Sequence, residues 1–222
     1  MVLERNLLKK VSYRVNFGLV GSKKSGIASG KEIFINYLKS RTIEDKLSKV
    51  NVLNEDFLEY FIVFKLVPIK IRVFLAENLN QLITWYEKIK NLDIIVLAFN
   101  IYDLDSLNDF NKSNYNEFCE YFHFKGLSTL VGIDVNHIYG LPITTKSIRI
   151  SKENLIKKAK ELNVLYCYKI KYKYKDISEF YEKIFKDMIF KFQMTGQEFF
   201  EQAKLYGNKL IEQFKFLKLN EE

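Results

Sequence analysis

The chain has 222 residues, 48% of them hydrophobic, enough to bury a full core as one domain with an appendage and too apolar for a disordered segment. Its net charge of +8 comes mostly from lysine spread along the whole chain, which favours solubility over arginine-fork recognition of phosphates or bases. The longest apolar runs, such as Ile94 to Phe99, are far too short to span a bilayer, and the two cysteines, Cys119 and Cys167, argue against a disulfide framework.

Charges stud Met1 to Arg14, so no signal peptide is expected, and Leu-Asn-Glu-Glu at the end is no prenylation motif; a cytoplasmic protein is the expectation. Met1 to Val11 reads as a short helix or a frayed lead-in. Ser12 to Val20 reads as a strand, and Gly30 to Leu38 lies in a first helix that fades by Lys49. Between them runs a glycine-rich turn, the layout of a phosphate-cradling P-loop.

Two registers of that turn compete. With Gly30-Lys31 as the GK pair, Ile33, Phe34, Tyr37 and Leu38 form an apolar helix face. Eight residues then separate Gly21 from Gly30 where the motif has four, and Glu32 stands where a magnesium-binding hydroxyl belongs. With Gly21 and Gly26 paired the spacing is right, but Ile27-Ala28 replace Lys-Ser and Gly30 falls in the first helical turn. The first register keeps the helix amphipathic and is preferred. A strand-turn-helix corner with no ligand fits the same residues.

Phe57 to Leu66 and Ile69 to Leu75 read as strands of a tight hairpin turning at Val67-Pro68. Asn78 to Lys90 reads as a helix, and Ile94 to Asn100 as a strand buried on both faces. Ser106 to Asp109 looks like the capped start of a helix reaching toward His123. Leu127 to Ile133 is another strand, Lys152 to Leu162 a helix begun at Ser151, Val164 to Lys171 a strand and Ile177 to Phe192 a helix. Thr195-Gly196-Gln197-Glu198 is a capping box for a terminal helix with an apolar stripe from Phe199 to Phe214, which either packs back or presents itself to a partner.

Lys169, Lys171, Lys173 and Lys175 alternate with Ile170, Tyr172 and Tyr174, so on one strand they would form a cationic face. That face reads either as solvated or as a docking stripe for an anionic membrane or nucleic acid. Cys119, His123, His137 and Cys167 fit no zinc spacing, and no nucleophile elbow is present.

Strands alternating with helices after one hairpin predict an α/β three-layer sandwich: a mostly parallel six-stranded sheet with one antiparallel edge, and an extra C-terminal helix. In this order, over about residues 13 to 190, the chain resembles the Ras/Rab-like small GTPases, a branch of the P-loop NTPases. Three stretches carry the likeness: Asp93 to Leu107, Thr129 to Asn136, and Ser151 through Tyr166 to Ile177. The resemblance implies a GTPase-like domain over residues 1 to 192 and a helical extension from 193 to 222. Tentative nucleotide-binding positions are Gly21, Gly26, Ser29, Gly30, Lys31, Asp134 and Asn136.

It also implies how little chemistry survives. The family's magnesium-linked aspartate motif matches Phe74-Leu75-Ala76-Glu77, which has neither its aspartate nor its glycine, and its water-orienting glutamine matches Asn78. No threonine lies between Ile43 and Ile83. The guanine motif matches Ile133-Asp134-Val135-Asn136, where the carboxylate that accepts two guanine N–H groups has become an amide. The SAK loop matches Ile170-Lys171-Tyr172. The resemblance thus implies a pseudoGTPase, a regulatory or scaffolding module with no catalytic residue. Its protein partner would meet the switch-equivalent segments Ser40 to Asp56 and Ala76 to Lys90, or the terminal helix. The runner-up is a divergent protein that binds GTP or GDP with magnesium through Lys31 and a borrowed carboxylate, Glu32 or Glu77.

Overall fold

The structure is a computed structural model that describes residues 11–21, 30–43, 56–141 and 149–219, with side chains described as far as 213. Six strands form one sheet in the order β2-β3-β1-β4-β5-β6. They are β1 (Tyr13–Val20), β2 (Phe57–Phe64), β3 (Val67–Ala76), β4 (Ile94–Asn100), β5 (Leu127–Ile133) and β6 (Tyr166–Ile170). Only β2 and β3 pair antiparallel; the other neighbours run parallel, as the alternation of strands and helices predicts.

Apolar side chains on both faces of β4 and along one face of β1 explain the layering. Val15, Phe17 and Leu19 point to one face, packed by α1 (Lys31–Arg41) and α8 (Lys175–Thr195). Tyr181 of α8 is the pillar there: wholly buried, it stacks on Tyr37 at 4.8 Å between ring centres and donates to the Phe34 carbonyl at 3.1 Å. The opposite face takes α2 (Leu79–Thr84), α3 (Tyr86–Ile89), α4 (Leu104–Asn108), α5 (Lys112–Tyr121) and α7 (Lys152–Leu162). Every residue of β4 is buried, which is why its sequence shows no alternation.

Several local expectations are corrected. The hairpin turns at Lys65-Leu66, both with positive φ (47° and 66°), as a two-residue loop requires for strands that twist right-handedly. Pro68 instead sits inside β3 opposite Val63, ahead of the β1 register that begins at Ile69, so its missing N–H breaks no ladder with β1. The helix foreseen from Asn78 to Lys90 divides at Trp85. The one foreseen from Ser106 divides around Asp109, because Asp103 and Asn111 each accept a backbone N–H three residues on and start separate helices. Ser106 itself is buried and donates back to the Asp103 carbonyl.

The capping box at Thr195 does not form: its hydroxyl donates backward to the Lys191 and Phe192 carbonyls and finishes α8. The cationic strand face does not form either. β6 ends at Ile170 and α8 begins at Lys175, leaving only Lys169 of the four on a strand. The terminal helix α9 (Gln197–Leu219) packs back on the sheet, burying Phe200, Ala203 and Leu210, with Gly207 against the Leu66 carbonyl of the hairpin. Among the described residues no helix is long and apolar enough to cross a membrane. The lead-in helix and most of the first switch segment, 44–55, lie outside the described residues.

Candidate functional site

β1 leads into α1 on one face of the sheet, and its neighbour β3 leads into α2 on the other. Two adjacent parallel strands whose connections diverge open a crevice at their carboxyl ends, the usual ligand position in an open α/β sheet. Three predicted residues converge there. Gly21 N–H and the Lys31 ammonium both donate to the Ala76 carbonyl, at 3.0 and 2.8 Å, tying the end of β1 and the start of α1 to the end of β3. Lys31 is 7% exposed.

Gly30 is the helix N-cap with φ 77°, and a Cβ on it would come within 2.8 Å of Ile133. A side chain is excluded there twice, by backbone conformation and by space. The helix thus opens at Gly30-Lys31, as the first register expects. Gly26 and Ser29 lie outside the described residues, as does the rest of 22–29.

After β3 the chain is committed to a cap. The Asn78 side chain accepts from Gln81 N at 2.9 Å, and the Gln81 side chain accepts from Glu77 N at 2.7 Å. The amide expected as a remnant of the water-orienting residue therefore serves helix α2. Glu32 and Glu77 are both exposed. Burial first, then the charge of Glu32, pushes the Tyr139 phenol above the usual tyrosine value. Among the described residues no three His, Cys, Asp or Glu side chains converge as a metal site would need.

Ile133 links this crevice to a second cluster, because Asp134 follows it. Asp134 is 2% exposed; one oxygen accepts from His137 N at 3.1 Å and caps α6 (Val135–Tyr139), and the other accepts from Arg149 at 3.3 Å. Buried carboxylate oxygens are costly unless hydrogen-bonded, and both oxygens here have a partner. Asn136 is also buried. Together they line an open cleft of about 440 Å³ with Tyr102, His137, Arg149 and Lys171. The loop after β6 is pinned by Asp176, whose carboxylate accepts from Lys171 N and Tyr172 N at 2.7 and 2.8 Å.

The structure thus gathers five of the seven predicted residues into two adjoining groups, Gly21-Gly30-Lys31 and Asp134-Asn136. Arg149 and Tyr102 went unforeseen, and His137 was weighed only as a zinc ligand; of the first two only Arg149 carries a signal, as a rare arginine in a lysine-rich chain. The sequence matches no protein-family model and no curated protein, so function has to be read from the chemistry of these two groups.

Proposed function

We propose that this chain is a Ras/Rab-like domain without the family's hydrolytic machinery, a pseudoGTPase that works as a regulatory or scaffolding module. The observation that carries the reading is the commitment of Lys31: its ammonium is buried and donates to the Ala76 carbonyl, beside the place where the family's magnesium-linked aspartate would stand. An ammonium used as a strut between β3 and α1 meets a fixed dipole, not a phosphate that comes and goes. Asp134 supports the same reading, since its carboxylate is divided between a helix cap and Arg149. With no phosphate to sense, the segment 76–90 serves as a constant surface for a protein partner.

The test is thermal melting with GTP, GDP or ATP, with and without magnesium. The module reading expects no shift. Ligand at about a hundred times its Kd stabilises by roughly 2.7 kcal/mol, about 5–10 °C for a domain of this size. A magnesium-dependent rise of that order, confined to guanine nucleotides, would overturn the reading. It would favour the divergent GTP-binding alternative, for which the 440 Å³ cleft beside Asp134 and Asn136 is the supporting observation.

A further inference from the structure

The loop 171–174 joins β6 to α8 and reads Lys-Tyr-Lys-Tyr. Its rings are turned outward: Tyr174 is 79% exposed and Tyr172 53%, and Tyr139 at the end of α6 is exposed beside them. Lysines interleave with these rings. The Lys171 ammonium lies 5.2 Å from the Tyr172 ring centre, and that of Lys173 lies 5.8 and 6.0 Å from Tyr174 and Tyr139. His137 meets Tyr172 edge-on at 5.5 Å. The platform is held in place by the two backbone bonds to Asp176.

Exposed rings at this density cost solvation unless something stacks on them, and cations set between rings suit a ligand that alternates flat faces with anions. The nearby carboxylates are already engaged, Asp134 by Arg149 and Asp176 by the loop amides, while Glu32 lies near Tyr139. The platform borders a concave cleft lined by Tyr102, Asn136, His137 and Arg149, a shape and polarity that suit an extended strand better than a flat bilayer surface.

We propose that this face binds single-stranded nucleic acid, with bases stacked on Tyr172 and Tyr174 and the backbone tracked by Lys169, Lys171 and Lys173. Successive bases on aromatic rings with lysines along the phosphates is the general chemistry of sequence-tolerant strand binding. The proposal does not depend on the crevice at Lys31.

The experiment is fluorescence anisotropy of labelled U12 and dT12 with the full chain. Binding is expected, and three phosphate contacts predict a slope of about −2 in log K against log salt, roughly a 20-fold loss between 50 and 200 mM. Tyr172→Ala and Tyr174→Ala are each expected to weaken binding about tenfold, with Tyr172→Phe close to the parent. Lys171→Gln with Lys173→Gln is expected to flatten the salt slope, and Lys204→Gln to leave binding unchanged. The exposed positions make unfolding easy to detect by melting. The proposal is overturned by no binding to either strand at 50 mM salt, or by alanine variants that bind like the parent. Capture by phosphatidylserine vesicles without oligonucleotide binding would also overturn it and assign the patch to a membrane.

Discussion

Replacing Lys31 separates a structural ammonium from a ligand-binding one. In Lys31→Met the buried stem is kept and the hydrogen bond to Ala76 is lost. The Ala76 carbonyl keeps Gly21 N–H as a donor, so no orphaned acceptor is left behind. A net charge-assisted hydrogen bond contributes about 1.5–3 kcal/mol, and relief from burying the charge offsets part of it, leaving an expected cost of about 1–2 kcal/mol. At roughly 2–4 °C per kcal/mol for a chain of this length, Tm falls by about 2–8 °C. Lys31→Ala also removes buried methylenes and leaves a cavity, so about 2–4 kcal/mol is expected. The assay is denaturant and thermal melting of parent and both variants, each with and without GTP and magnesium. A parent that GTP stabilises, beside a Lys31→Met variant of equal intrinsic stability that GTP does not touch, would refute the argument, for the ammonium would then face phosphate.

Two further outcomes follow from other contacts. Gly207→Ala brings a Cβ to 1.8 Å from the Leu66 carbonyl oxygen, a backbone atom that cannot step aside, so α9 should lift from the hairpin and become sensitive to limited proteolysis while the sheet survives; protection equal to the parent would show that the helix has slack. Glu59 bridges Lys70 at 2.6 Å and Arg72 at 3.0 Å across β2 and β3. Burial alone would raise its pKa, but the hydrogen bonds and charges of those two cations bring it below the ordinary glutamate value. A depressed folded pKa means stability present above the unfolded value of about 4.3 and lost as pH falls through the lower folded one. Glu59→Gln should therefore cost about 1 kcal/mol at neutral pH and flatten the acid limb of the melting profile below about pH 4.

Local pattern determined much of this protein. The all-apolar run of β4, the single hairpin and the alternation of strands with helices were enough for a mixed sheet with helices on both faces, since a strand with no polar face must be covered twice. The opening of α1 at Gly30-Lys31 was legible too, because only that register gives the helix one apolar side. Caps were half legible: Ser151 accepts from Asn154 N as its sequence suggests, whereas Thr195 had a competing partner in its own preceding turn.

Tertiary structure decided what the residues are used for. Lys31 reads in sequence as a phosphate ligand, and in the structure its ammonium donates to the Ala76 carbonyl at the end of β3, which also accepts from Gly21 N–H. Asp134 is drawn to Arg149, fifteen residues away, by the need to neutralise a buried carboxylate, a pairing no local window contains. Four alternating lysines read as one strand face until β6 stops at Ile170. The strand ends there because Asp176 captures the amides of Lys171 and Tyr172, and the same capture turns the tyrosines of that loop toward solvent.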